Sequence, residues 1–168
     1  MCARARTLSA GVATASFEGL ATNTMPPFDL TFGADTAALS GGGEVLTTPF
    51  NGVYPTAGVN YYFLFLSSGT SAFRIDFSAP QAAFGFYMTD VGDGLGQLTL
   101  GFERAAGGSD VIAVPTTVGA GSGSVAFYGR GDAANPFTAV TFTNPSTGDG
   151  FGFDELTIAS PAQVVDEV

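Results

Sequence analysis

One stretch near the C-terminus decides the fold: Asp149-Gly150-Phe151-Gly152-Phe153-Asp154-Glu155-Leu156-Thr157-Ile158. Successive side chains of a β-strand point to opposite faces, so its apolar residues fall into two phases, Phe151 with Phe153 and Leu156 with Ile158. Either Asp154 points inward with the second pair, or a β-bulge at residues 154–155 re-aims the chain. An inward carboxylate requires a cation or several hydrogen-bond donors. We interpret the stretch as the closing strand of a β-sandwich.

The composition favours many short strands. A chain of 168 residues is expected to form one domain with a sizeable core, and its 16 Phe give that core an aromatic character. The 24 Gly and nine Pro are spread too evenly for helices. About ten strands are predicted, at 17–19, 29–32, 45–47, 61–66, 73–77, 83–88, 98–102, 111–114, 124–129 and 137–143, before the closing strand. Their spacing predicts an all-β fold, a two-sheet antiparallel β-sandwich.

Three segments are expected along the chain. Residues 1–15 resemble a secretory signal, with Arg4 and Arg6, a mildly apolar middle and small residues at the end. Alternatively, these residues form an N-terminal arm that pairs with another subunit. Residues 16–160 form the β-sandwich domain, and residues 161–168 a loosely held tail. Cys2 is the only cysteine, so no disulfide forms within the chain.

The charge balance and the missing residue types exclude several classes of function. There are 15 acidic residues against five Arg, with no Lys and no His, for a net charge of −10. This disfavours nucleic acid and anionic membranes as partners, and no segment approaches the ~20 apolar residues of a membrane helix. Without histidine the usual general base is missing, and no nucleophile elbow, P-loop or dinucleotide fingerprint occurs. We therefore expect no enzyme and name no catalytic residue.

Calcium is the cofactor that the acidic residues favour, because this ion takes six to eight oxygen ligands. One candidate site is Asp90 and Asp93 in a Gly-rich loop, for which an ordinary Asp-Gly turn is the alternative. The other is Glu18 with Asp154, for which hydrogen-bonded or solvated carboxylates are the alternative. Asp149 and Glu155 are expected to be turn and surface residues.

The order of several short motifs resembles a family of secreted bacterial proteins that often carry the Pro-Glu-Pro C-terminal sorting signal (PEP-CTERM). The motifs are Phe17-Glu18-Gly19, Phe73-Arg74-Ile75-Asp76-Phe77-Ser78-Ala79-Pro80, Ala83-Phe84-Gly85-Phe86 followed by Asp90, Phe137-Thr138-Ala139-Val140-Thr141-Phe142, and Asp149 to Leu156. The resemblance implies a jelly roll similar to galactose-binding-like and carbohydrate-binding modules, with a structural calcium between Glu18 and Asp154. The sorting signal itself is absent from the sequence.

Two functional hypotheses follow. The first is a secreted, non-enzymatic β-sandwich at the cell surface or in the extracellular matrix, stabilised by calcium and binding polysaccharide or acting in adhesion. The second is a structural subunit of an extracellular filament or coat, whose partner is another copy of itself and whose residues 1–16 act as a pairing strand. The tripeptide Arg130-Gly131-Asp132 matches an integrin-binding motif, but a match this short is expected by chance, and we interpret it as part of a loop.

Overall fold

The computed structural model describes residues 6–8, 12–66, 71–93, 97–115, 122–144 and 148–166, and within them it has fourteen β-strands and one short 3₁₀ turn at Pro161–Gln163. The strands are β1 (Arg6–Leu8), β2 (Ala13–Ala15), β3 (Phe28–Phe32), β4 (Asp35–Gly41), β5 (Glu44–Leu46), β6 (Tyr61–Leu66), β7 (Ser71–Gln81), β8 (Ala83–Thr89), β9 (Thr99–Arg104), β10 (Ser109–Ala113), β11 (Val125–Gly131), β12 (Phe137–Thr143), β13 (Asp149–Ala159) and β14 (Val164–Asp166).

Twelve of these strands form two six-stranded antiparallel sheets that pack face to face, which confirms the predicted all-β sandwich. Sheet I has the strand order β10-β9-β12-β7-β4-β3. Sheet II has the order β11-β8-β13-β6-β5, with β2 paired to the second half of β13. More strands are present than the ten or so predicted, and β4 and β14 lie where the sequence predicted none. No helix in the described part of the chain is long and apolar enough to span a membrane.

The core between the sheets is built largely of phenylalanine. Phe142 of sheet I stacks on Phe153 of sheet II, with ring centroids 5.4 Å apart. Tyr62 lies among these rings and donates its hydroxyl hydrogen to the Gly42 carbonyl at 2.7 Å. Aromatic pairs in such offset and tilted arrangements stabilise a core beyond the area that they bury. The inward-facing side chains of the strands therefore hold the two sheets together.

β13 contains the bulge that was one of the two predicted arrangements. Its register with β8 shifts between Asp154 and Thr157, and Glu155 has a φ of +52°. As a result Phe151, Phe153, Leu156 and Ile158 are all buried in one core. At the bulge one edge of β13 changes partner, from β6 to β2.

Several predicted boundaries were wrong. Residues 17–19 form a turn after β2 rather than a strand. β7 continues through Pro80 to Gln81, and Arg130 and Gly131 belong to β11 rather than to a loop. Both strands continue past residues that usually end a strand, because the added residues pair with a neighbouring strand.

The two ends of the described chain pair with each other. β1 and β14 form a separate antiparallel ribbon, with Thr7 opposite Val165. Val164 is buried against Ala82, Ala83 and Ala159. The described parts of the predicted arm and tail therefore have partners within the same chain, and pairing of the arm with another subunit stays a prediction.

Candidate functional site: the outer face of sheet II

The outer face of sheet II carries aromatic side chains where a sandwich normally exposes polar ones. Phe65 of β6, Tyr87 of β8 and Phe127 of β11 point away from the core and are 56%, 42% and 54% exposed. Tyr87 and Phe127 are in contact, with ring centroids 5.0 Å apart. Exposed apolar groups gathered on one face are typical of a binding surface.

Glycines in β13 make room on this face. A Cβ at Gly150 would lie 3.1 Å from the ring of Phe63, and a Cβ at Gly152 would lie 2.6 Å from Cγ1 of Val53. The alternation Gly-Phe-Gly-Phe at residues 150–153 thus has two roles. The phenylalanines fill the core, and the glycines let the rings of β6 and a neighbouring loop lie directly on the sheet.

That loop comprises residues 47–60, between β5 and β6, and we call it the crossing loop because it passes over β13 and β8. Val53 lies over Gly152. The backbone N–H of Tyr54 donates to Oγ1 of Thr89 at 3.4 Å, and the Thr89 hydroxyl donates to the Tyr54 carbonyl at 3.2 Å. The loop buries Tyr61 and Asp154, although both lie on the outer face of the sheet.

Two carboxylates anchor the end of the crossing loop. Oδ2 of Asp154 accepts the backbone N–H groups of Thr56 and Ala57, each at 3.1 Å, and the Thr56 hydroxyl at 3.2 Å. Oε1 of Glu18 accepts the backbone N–H groups of Val59 at 2.8 Å and Asn60 at 2.7 Å. Burial raises the pKa of Asp154, and the N–H groups of Ala57 and Glu155 oppose that rise.

This donor set does not fit a calcium ion shared by Glu18 and Asp154. Calcium requires oxygen lone pairs directed at it, whereas at least four backbone N–H groups direct their positive ends at these carboxylates. A buried carboxylate needs either a cation or several donors, and here the donors are present. The calcium prediction for this pair stays untested, and no step of the function is derived from it.

A pocket of about 320 Å³ opens beside the crossing loop. We call it the acidic pocket, because three aspartates and three phenylalanines contribute to its wall. Its lining residues are Phe50, Asn51, Val53, Phe63, Phe65, Asp90, Asp93, Asp149 and Gly150.

Two of the three aspartates are almost fully buried. Asp90 is 3% exposed, has a φ of +68° and accepts the N–H of Gly123 through Oδ1 at 2.7 Å. Asp149 is 6% exposed and accepts the N–H of Gly92 through Oδ2 at 2.9 Å. Asp93 is exposed at the rim. Burial raises the pKa of Asp149, and the nearby charges of Asp93 and Asp90 raise it further, while the N–H of Gly92 opposes the rise.

The structure thus brings the predicted pair Asp90 and Asp93 close to a third aspartate that the sequence analysis assigned to a turn. Asp149 is instead a buried residue of β13, and Glu155 occupies the bulge. The sequence does contain a signal for the burial of Asp149. In a strand, Asp149 lies on the same face as Phe151 and Phe153, which are core residues. In the described part of the chain, no three acidic side chains come close enough together to hold a metal ion.

The Arg130-Gly131-Asp132 tripeptide is engaged within the protein. Arg130 donates to Asp110 at 2.7 Å, lies 3.5 Å from Asp132 and stacks over the ring of Phe102. Asp132 also accepts the N–H of Asn135 at 3.1 Å. A motif whose two charged side chains are already paired is a structural element, so this arrangement disfavours integrin binding.

No protein-family model matches this chain, and no curated protein is significantly similar to it in sequence. Solved structures show the same fold. The K2 cleaved adhesin domain of Lys-gingipain superposes with a TM-score of 0.55 at 11% identity, over 92% of this chain and 99% of that one. The C-terminal family 22 carbohydrate-binding module of Clostridium thermocellum Xyn10B gives a TM-score of 0.52 at 14% identity, over 95% and 100%. The chain is therefore a β-sandwich similar to carbohydrate-binding modules and to an adhesin domain.

Proposed function

We propose that this protein binds carbohydrate in the acidic pocket on the outer face of sheet II, as a non-enzymatic module that acts outside the cell, at its surface or in the extracellular matrix. The observation that carries the proposal is the acidic pocket, in which exposed phenylalanine rings stand beside carboxylates. Sugar rings present apolar C–H faces that pack on aromatic rings, and their hydroxyls donate to carboxylate oxygens. A pocket of about 320 Å³ is at the lower end of the range for small-molecule sites.

Two further observations support the proposal. The fold is similar to that of a carbohydrate-binding module whose cleft takes part in ligand binding. This chain has a pocket between the crossing loop and β6, lined by Phe63 and Phe65 among others. The sequence motifs that resemble secreted bacterial proteins support a location outside the cell.

The test is a glycan array followed by titration of each bound glycan against two single-ring variants. Phe65→Ala removes a ring of the acidic pocket, and we expect about a tenfold loss of affinity, which corresponds to ~1.4 kcal/mol. Phe127→Ala is the matched control, because it removes an equally exposed ring of the same face outside the pocket. The control should bind as the wild type does. Absence of any bound glycan, or equal binding by Phe65→Ala and the wild type, would overturn the proposal.

The filament hypothesis has less support. It requires residues 1–16 to pair with a second subunit, whereas Arg6–Leu8 pair with β14 and Ala13–Ala15 pair with β13 of the same chain. Light scattering at high protein concentration tests it, since a filament subunit grows into large assemblies and a monomer does not.

A further inference from the structure

We propose that the acidic pocket selects a sugar unit that carries a protonated amine, so that the preferred ligand is an amino sugar with a free ammonium group. This inference rests on the carbohydrate-binding function proposed above and names the class of sugar.

The first argument is charge. Three carboxylates line the pocket, and its described lining includes no basic side chain. Asp90 is 3% exposed, and the hydrogen bond that it accepts from Gly123 uses Oδ1. A ligand ammonium that reaches these carboxylates would bring an opposite charge and charge-assisted hydrogen bonds.

The second argument is size. In the part of the chain that is described, no three acidic groups converge on one point as an ion requires, and calcium ligands lie at 2.3–2.6 Å from the metal. The pocket volume of about 320 Å³ lies within the range of small-molecule sites. The aspartates therefore surround a space that fits an organic cation better than a bare metal ion.

The third argument comes from the aromatic rings. Phe50 and Phe63 are in contact within the pocket wall, with ring centroids 5.0 Å apart, and Phe65 is more exposed beside them. The faces of aromatic rings attract ammonium groups. The rings and the carboxylates thus both favour a positively charged ligand. A uronic acid is disfavoured, because its carboxylate would face three aspartates.

The experiment compares three hexasaccharides that share a β-1,4-linked backbone and differ only at carbon 2: glucosamine, N-acetylglucosamine and glucose. Affinities are measured by calorimetry at 150 mM salt, which limits long-range attraction to an acidic protein. We expect the glucosamine hexamer to bind at least fivefold more tightly than the other two. Asp93→Asn should reduce this preference about two- to fivefold, as for an exposed charge pair.

Asp29→Asn is the matched control, since Asp29 is an exposed residue of β3 in sheet I and its loss changes the net charge equally. The control should keep the full preference. Equal affinity for the three hexamers overturns the amine inference and leaves carbohydrate binding standing. An equal loss in Asp29→Asn and Asp93→Asn also overturns it, because the attraction is then to the acidic surface as a whole. If none of the three binds, the amine inference fails, and the glycan array alone decides the carbohydrate proposal.

Discussion

Oδ2 of Asp154 accepts the backbone N–H of Ala57 at 3.1 Å, and this contact ties the bulge of β13 to the crossing loop. The two residues are 97 positions apart in the chain. Asp154 follows the inward Phe153 and so lies on the outer face, and the bulge after it returns Leu156 to the core. The loop then encloses the Asp154 carboxylate with N–H groups. The position of the loop, and with it one wall of the acidic pocket, therefore depends on this carboxylate.

Replacement of Asp154 should loosen the crossing loop. Asp154→Ala leaves the N–H groups of Thr56, Ala57 and Glu155 without their acceptor, and we expect a loss of about 1 to 3 kcal/mol in the free energy of unfolding. Denaturant unfolding measures this loss, and hydrogen exchange at residues 56 and 57 locates it. Asp29→Ala is the control for removal of an exposed carboxylate. Unchanged exchange at both positions would show that the anchor is unimportant.

Chelation separates the two interpretations of Glu18 and Asp154. A calcium ion between them, as the sequence resemblance implies, predicts a lower melting temperature in excess chelator. The hydrogen bonds predict no change, because backbone N–H groups already satisfy both carboxylates. We expect the second result. A chelator-induced fall in melting temperature that disappears in Glu18→Gln would establish the metal site instead.

The pH dependence of stability should reveal the buried Asp149. Its pKa is raised in the folded protein, mainly by burial, so folding favours the protonated form. Protonated Asp149 therefore contributes to the stability of the wild type at low pH. This contribution is lost as the pH rises from about 4, the ordinary aspartate range, through the raised pKa of Asp149. Asp149→Asn keeps an acceptor for Gly92 without the charge.

The melting temperature of Asp149→Asn relative to the wild type should therefore be higher at pH 7 than at pH 3.5. Thermal melts of both proteins at the two pH values measure this difference. If the difference in melting temperature between the two proteins is the same at both pH values, ionisation of the buried Asp149 does not destabilise the fold.

A methyl group at Gly152 should displace the crossing loop. The added Cβ would lie 2.6 Å from Cγ1 of Val53 and 2.7 Å from Oγ1 of Thr89. We expect Gly152→Ala to cost about 1 to 3 kcal/mol of stability, as overpacking does. Gly101→Ala is the control, since Gly101 is also a strand glycine and its nearest contact would be at 3.9 Å. Equal stability of the two variants in urea unfolding would show that the loop does not press on β13.

Strand identity followed from local pattern wherever one face of a strand was apolar. Phe84, Phe86 and Met88 alternate in the sequence and are buried in β8, and Leu100 and Phe102 behave in the same way in β9. One strand that was missed lacks such a pattern. Asp35–Gly41 contains few large apolar residues, and it is a strand because it pairs with β3 and β7, which the local sequence does not reveal.

The candidate site was predicted only in part for the same reason. Asp90 and Asp93 were singled out as neighbours in the sequence, but their approach to Asp149 depends on β8 lying beside β13. Residues 61–66 are apolar on both faces of the strand, so the local pattern does not show which face is open. In the structure Phe65 is exposed, because β5 and the crossing loop leave that part of the outer face open.

The sequence by itself determined the all-β class, the inward phase of most strands and the alternation of glycine and phenylalanine in β13, because these depend on side-chain periodicity within a few residues. Only the tertiary structure decided the order of the strands, the path of the crossing loop and the meeting of three aspartates with three phenylalanine rings. These features depend on contacts between residues tens of positions apart, such as Asp154 with Ala57 and Asp149 with Gly92. Local periodicity carries no information about such contacts.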